Sequence, residues 1–374
     1  MSLPDLLTRL TELEPAWKEA NPGVRLGAVR RAGKKLKDRI ASHGPAACVR
    51  TFDLITFPYP TAYGLGGAAL SPAPYVMMTN RMHLVQVPSS GAIVNILVNP
   101  TDSDRSIAAP FFARQIERYG KLLSRRVLSH LHQSVAGALA TAGVAPEDID
   151  FITFDHMHVQ DVRGLLGTTA PEPGAVSPTP ALLPNARLLV HQSELSTFDC
   201  PHPLQRTWYV ADGVRDVPAD KIVALNGDYL VGDGGFALIR TPGHTAGNVS
   251  PVLVTDSGLW TVSENGIAVE CYAPAESRIP GLRRHARQTG DEVILNANTR
   301  EATLDQYTSM VLEKTLADAV ADNPALPQHF PSSELTASWL APGLAPTYCH
   351  PPITHGEVMA RTPSHHAAAH AVGD

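Results

Sequence analysis

An apolar run from Ile149 to Phe154 leads straight into Asp155-His156-Met157-His158-Val159-Gln160-Asp161. A run of that kind reads as a buried strand, so the chain is obliged to bring two imidazoles to the point where the strand leaves its sheet. In an extended chain the side chains at i and i+2 point to the same side, which lets His156 and His158 grip one cation together. Gln160, in the same segment, can neither carry a negative charge nor take up a proton as a carboxylate does.

A second segment, Leu238-Ile239-Arg240-Thr241-Pro242-Gly243-His244-Thr245, repeats the logic. An apolar strand runs into Pro-Gly, which turns the chain sharply and presents His244 at the strand end. With His156 and His158 it makes three imidazoles, a common cage for a catalytic zinc that keeps one position open.

The surrounding text alternates between strand-like and helix-like stretches. Thr51–Phe57, Tyr75–Thr79, Met82–Val87 and Ala92–Val98 read as strands, and Arg187–Val190, Phe236–Arg240, Val252–Thr255 and Leu259–Val262 as further short ones. Phe111–Thr141 has few breakers and carries Leu122, Leu123, Val127, Leu128, Leu131, Val135 and Leu139 at helical spacing, with Gly143 as a stop; Leu304–Ala321 reads as another helix. The alternation argues for a layered α/β class. Three regions follow: a helical N-terminal arm over 1–45 with a break at Pro22-Gly23, a main domain over 46–335, and a Pro- and His-rich tail over 336–374 without periodicity, expected to lie extended on the surface or disordered.

Charge excludes some functions. The net charge is −6, and the one basic cluster, Arg30 to Arg39, reads as a solvated helix face, so a nucleic-acid footprint is not expected. Four cysteines without a CxxC pair and a start lacking a basic-then-apolar pattern point to a reducing cytoplasm; no apolar stretch suits a membrane.

These motifs together resemble the metallo-β-lactamase superfamily. The usual His-x-His-x-Asp-His reads here His156-x-His158-x-Gln160-Asp161, with Gly164 after it and Gly143 to Asp150 as a similar lead-in. Thr241 to Ser250 matches the later Thr-Pro-Gly-His-Thr segment closely, Leu183 to Glu194 looks like the strand and helix start between them, Ser263-Glu264 stands where the family has Gly-Asp, and Gln328-His329 resembles the last histidine. The resemblance implies an αββα sandwich of two mixed sheets with outer helices and metals in a groove at one edge. It implies a first site of His156, His158, His244 and Glu264, and a second of Gln160, Asp161, Glu264 and His329. Zinc suits the imidazole site, and oxygen ligands shift the second toward manganese or iron, so one or two ions are expected.

The function so implied is a metal-dependent hydrolase in which metal-bound hydroxide attacks a small-molecule lactone, ester, amide or thioester. Asp161 is the candidate to orient water or move its proton, and His329 the candidate general acid if the second site is empty. Two other readings stand beside it: hydrolytic dehalogenation of an activated aromatic ring, and a metal-poor binding protein that kept the fold and lost catalysis, motivated by Gln160 and Asp161. The partner is a small molecule, and the N-terminal arm is the candidate contact of a homodimer.

Overall fold

Alternating strand residues sort into two cores, and that sorting defines the architecture. In the computed structural model, which describes residues 3–126, 129–298 and 300–360, Ile96 and Val98 of the strand Ala92–Val98 pack in one cluster and Leu97 between them in another. Leu188 and Val190 likewise part from Leu189, and Leu238 from Ile239. This is the period-two pleat: each strand is buried on both faces, one against a second sheet and one against helices.

Among the described residues one sheet has six strands, ordered Leu7–Leu10, Asp228–Val231, Phe236–Arg240, Val249–Thr255, Gly258–Ser263 and His329–Pro331. The other runs Thr354–Gly356, Cys48–Pro60, Tyr75–Ser89, Ala92–Val98, Phe151–Thr153, Arg187–His191 and Ile222–Leu225, with Ser333–Thr336 and His130–Leu131 added at its side. Both sheets mix parallel and antiparallel pairs. Val85, Val87, Ile96 and Val98 face Phe236, Leu238, Leu253 and Phe330 between the sheets. Outside the first sheet, Leu36 and Ile40 of the helix Pro22–Ser42 and Leu312 and Leu316 of the helix Thr303–Leu316 cover Ile239 and Val252. Outside the second, Ala138 and Leu139 of the helix Val135–Ala142 cover Leu84 and Ile152. This is the αββα sandwich of two mixed sheets.

Several elements differ from the sequence reading. Tyr75–Ser89 is one strand where two were expected. Phe111–Thr141 is not one helix: it divides into Pro110–Tyr119, Lys121–Arg126, the short strand His130–Leu131 and Val135–Ala142, with Gly120 at φ 79 making the first break; Val127 and Leu128 lie outside the described residues. The N-terminal stretch contains an edge strand, and Pro22 opens its long helix with Asn21 as cap. The segment from Pro342 to Ala360 is bound to the fold, Thr354–Gly356 pairing with Cys48–Arg50 and Glu270 accepting from the Thr347 N–H and hydroxyl. His365 and His366 lie outside the described residues.

The site follows from where strands end. Ala92–Val98 delivers Asn99, Phe151–Thr153 the histidine pair, Phe236–Arg240 His244, Gly258–Ser263 Glu264, and His329–Pro331 the serine pair Ser332-Ser333.

Candidate metal centre

The strand carrying the first histidines stops at Thr153, so His156 and His158 stand in a loop rather than on a pleat. What places them together is a turn. Val159 adopts φ 57, rare for a β-branched residue, and is held there by its N–H donating to the Trp208 carbonyl at 2.7 Å while Gln160 N–H donates back to Met157. The second loop closes on itself, Thr241 N–H donating to Asn248 and Gly243 N–H to Thr245. A backbone bond from Val249 N–H to the Asp155 carbonyl, 2.8 Å, ties the two loops together.

Glu194 clamps them further. Its buried carboxylate accepts from Met157 N–H (2.8 Å), the Tyr209 hydroxyl (2.7 Å), the Thr245 hydroxyl (2.6 Å) and Gly247 N–H (3.2 Å). A buried carboxylate with four donors is fully compensated, and here it cross-links both histidine loops.

The three imidazoles converge. Ring centroids are 4.8 Å apart for His156 and His158, 4.5 Å for His156 and His244, and 5.0 Å for His158 and His244. Each ring offers a nitrogen within 4.8 Å of the others, and among the described residues no other group of three or more His, Cys, Asp or Glu does so. All three are buried.

Their neighbours set their protonation. Gln205 Nε2 donates to Glu301 at 2.7 Å, which turns its Oε1 toward His158 Nε2 at 3.0 Å. His158 therefore donates from Nε2 and keeps its lone pair on Nδ1. Burial, with His156 beside it, holds its pKa well below the usual value, and burial does the same to His244. His156 behaves oppositely: burial works against its proton, but Asp155 Oδ2 lies 3.2 Å from its Nδ1 and raises its pKa to about 9. Neutral imidazoles beside one carboxylate-supported imidazole form a donor set that fits a divalent cation such as zinc.

The other expected ligands are distributed differently. Glu264 lines the same pocket, its N–H donating to Asp155 Oδ2 at 2.7 Å; burial lifts its carboxyl to about 7 against the pull of His156. It stands outside the group of converging donors. Asp161 is occupied elsewhere: its oxygens accept from Arg163 N–H, Arg163 Nε and Nη2, and Arg105 Nη1, making it a pillar between two guanidiniums. Gln160 reaches the pocket and donates to the Thr101 hydroxyl at 3.1 Å. His329 lies within its strand, stacked on Tyr272 at 3.9 Å with Nδ1 2.9 Å from the Thr261 hydroxyl. The strand brings the next residues instead: Ser332 and Ser333 line the pocket, and Ser332 donates to Asp155 at 2.8 Å.

Sequence reasoning passed over Asp155, Glu194 and Gln205. The first two lie inside quoted motifs, but their roles depend on partners far away in the chain; Gln205 has no local signal. Asp102 caps the helix Ser103–Ser106. The pocket itself has a volume of about 100 Å³ and opens to solvent. Phe57, Ile107, Phe112, Ile116 and Trp208 line it together with amide and hydroxyl groups, and no lysine or arginine is among its described lining residues.

No protein-family model matches the chain, and no curated protein does. Solved structures do. The chain is similar to an N-acyl homoserine lactone hydrolase with the product N-hexanoyl-L-homoserine bound at its catalytic metal center, at 16% identity over 66% of this chain and 90% of that one, TM-score 0.44. It is similar to a probable metal-dependent hydrolase from Staphylococcus aureus (14%, 58% and 73%, TM-score 0.42) and to a putative metallo-β-lactamase from Thermotoga maritima (12%, 65% and 93%, TM-score 0.36).

Proposed function

We propose that this chain is a divergent member of the metallo-β-lactamase superfamily and a hydrolase of small-molecule electrophiles that works with one divalent cation held by His156, His158 and His244. The observation that carries the reading is the convergence of these three buried imidazoles, from two loops far apart in sequence, two of which, His156 and His158, line a pocket open to solvent. A single ion is favoured because Gln160 is engaged by Thr101, Asp161 by two arginines, and His329 by Tyr272 and Thr261. Zinc suits an all-imidazole set better than manganese or iron.

A cation bound there supplies Lewis acidity toward a carbonyl oxygen and toward water, the chemistry that lactones, esters, amides and thioesters require. The chain's own residues do the rest. Asp155 supports the Nδ1 side of His156, and Gln205 fixes the tautomer of His158. Glu264, with its carboxyl near neutrality and its side chain in the pocket wall, can hold a proton and release it at working pH. Phe57, Phe112 and Trp208 pack an apolar arm of the substrate.

Elemental analysis of the purified protein tests this together with turnover of esters, lactones, amides, thioesters and haloaromatics. About one equivalent of divalent metal is expected, with both metal and turnover lost in His158→Ala. Less than roughly a tenth of an equivalent, not restored by added zinc or manganese, would make the chain a metal-poor binding protein instead. Halide release from the haloaromatics alone would shift the reading to dehalogenation.

A further inference from the structure

Two amide side chains in the pocket wall are oriented by backbone partners and leave one polar atom each without a partner in the protein. Asn99 Oδ1 accepts from Asp155 N–H at 3.0 Å, so its Nδ2 is the free end; Asn80 Nδ2 donates to the Ser332 carbonyl at 3.3 Å, so its Oδ1 is the free end. Because a backbone N–H and a backbone carbonyl fix which end is which, the assignment of oxygen and nitrogen follows from the bonding. Asn99 is 2% exposed and Asn80 7%, and both line the same pocket as His156 and His158. One chain of hydrogen bonds links them: Asp155 bonds to Asn99 through its N–H and to Ser332 through its carboxylate, and Ser332 bonds to Asn80.

Asn99 and Asn80 therefore present an unpaired donor and an unpaired acceptor, neither charged, beside the unpaired Gln115 Nε2 and Asn298 Oδ1 of the same pocket, and no lysine or arginine is among its described lining residues. We propose that this wall is a subsite for an uncharged carboxamide-type group of the substrate, Asn99 Nδ2 donating to its carbonyl oxygen and Asn80 Oδ1 accepting from its N–H. The inference rests on reading the pocket as the substrate site of the proposed hydrolase. Buried polar groups that wait for partners discriminate strongly, because an analogue lacking the matching group leaves them unpaired. A substrate of this class carries an amide beside its scissile bond and an apolar arm toward Phe57 and Phe112. Anionic substrates are disfavoured.

Binding of three isosteres of similar shape tests it without requiring turnover: N-benzylacetamide, 4-phenyl-2-butanone, in which CH2 replaces N–H, and 3-phenylpropanoate, an anion. Each is titrated by calorimetry into the full chain loaded with zinc and again after chelation, so that a carboxylate held only by the cation reveals itself by its loss. The amide is expected to bind about tenfold more tightly than the ketone, the fold-change of one well-placed hydrogen bond. Asn80→Ala is expected to erase that difference, and Asn99→Asp, which keeps an oxygen for the Asp155 N–H, to weaken amide and ketone alike. Equal affinity of amide and ketone, or a carboxylate that binds most tightly to the chelated protein, would overturn the subsite. Loss of hydrolysis with this binding order intact would instead count against the hydrolase reading alone.

Discussion

At the residue scale, the histidine cluster depends on side chains that never touch the pocket. Gln205 holds His158 in one tautomer through a bond that Glu301 orients. Gln205→Leu is therefore expected to weaken metal affinity about 10- to 100-fold with little change in melting temperature, read by competition with a chelator of known affinity. Gly243 is constrained in another way. It sits at φ 134, and a Cβ there would fall on the backbone nitrogen of Gln306. Gly243→Ala must push the His244 loop away from the helix Thr303–Leu316, so loss of metal and a destabilisation of roughly 2–4 kcal/mol in urea unfolding are expected together. The Pro-Gly pair announced a sharp turn in the sequence. That the turn is pressed against a helix about sixty residues later did not, because only packing decides which backbone lies beside a glycine.

At the scale of elements, period and burial separate what could be read from what could not. The strands that were legible, such as Ala92–Val98, are buried on both faces and therefore apolar almost throughout. The long helix expected over Phe111–Thr141 failed for a physical reason: Leu122 is 70% exposed, Leu123 41% and Leu131 51%, so the helical spacing marked a buried face only at its end, where Val135 and Leu139 are buried. Of the two readings of the C-terminal segment, extended on the surface or disordered, its described part follows the first. Its proline-rich text has no periodicity, yet Arg50 donates to the carbonyls of His355 and Gly356, and the Gln86 side chain pairs with the backbone of Met359. Glu270 anchors its start at Thr347. Glu270→Ala should accelerate hydrogen exchange over residues 347–356 and cost about 1–3 kcal/mol, whereas unchanged protection there would show that the sheet pairing alone holds the segment.

At the scale of the whole molecule, buried carboxyls make stability depend on pH. Asp228 accepts from Arg240 N–H at 2.6 Å, and burial, only partly offset by that bond and the Arg240 guanidinium, lifts its pKa to about 7. A carboxyl raised in the folded state binds its proton more tightly than in the unfolded chain, so its contribution is most favourable below the unfolded pKa near 4 and is lost as pH rises to about 7. Asp228→Asn should then gain about 2 kcal/mol relative to the parent on going from pH 5 to pH 8 in denaturant titrations; a pH-independent difference would remove burial as the cause. No helix among the described residues is long and apolar enough to cross a membrane. By itself the sequence determined the layered class, the order of its main strands and the three histidines, because hydrophobic periodicity and strand-end motifs are local signals. The tertiary structure alone decided that Asp161 serves two arginines, that Ser332 rather than His329 reaches the pocket, and that Asp155, Glu194 and Gln205 hold the histidines in place. Those assignments depend on distances between segments remote in the chain, which no local pattern encodes.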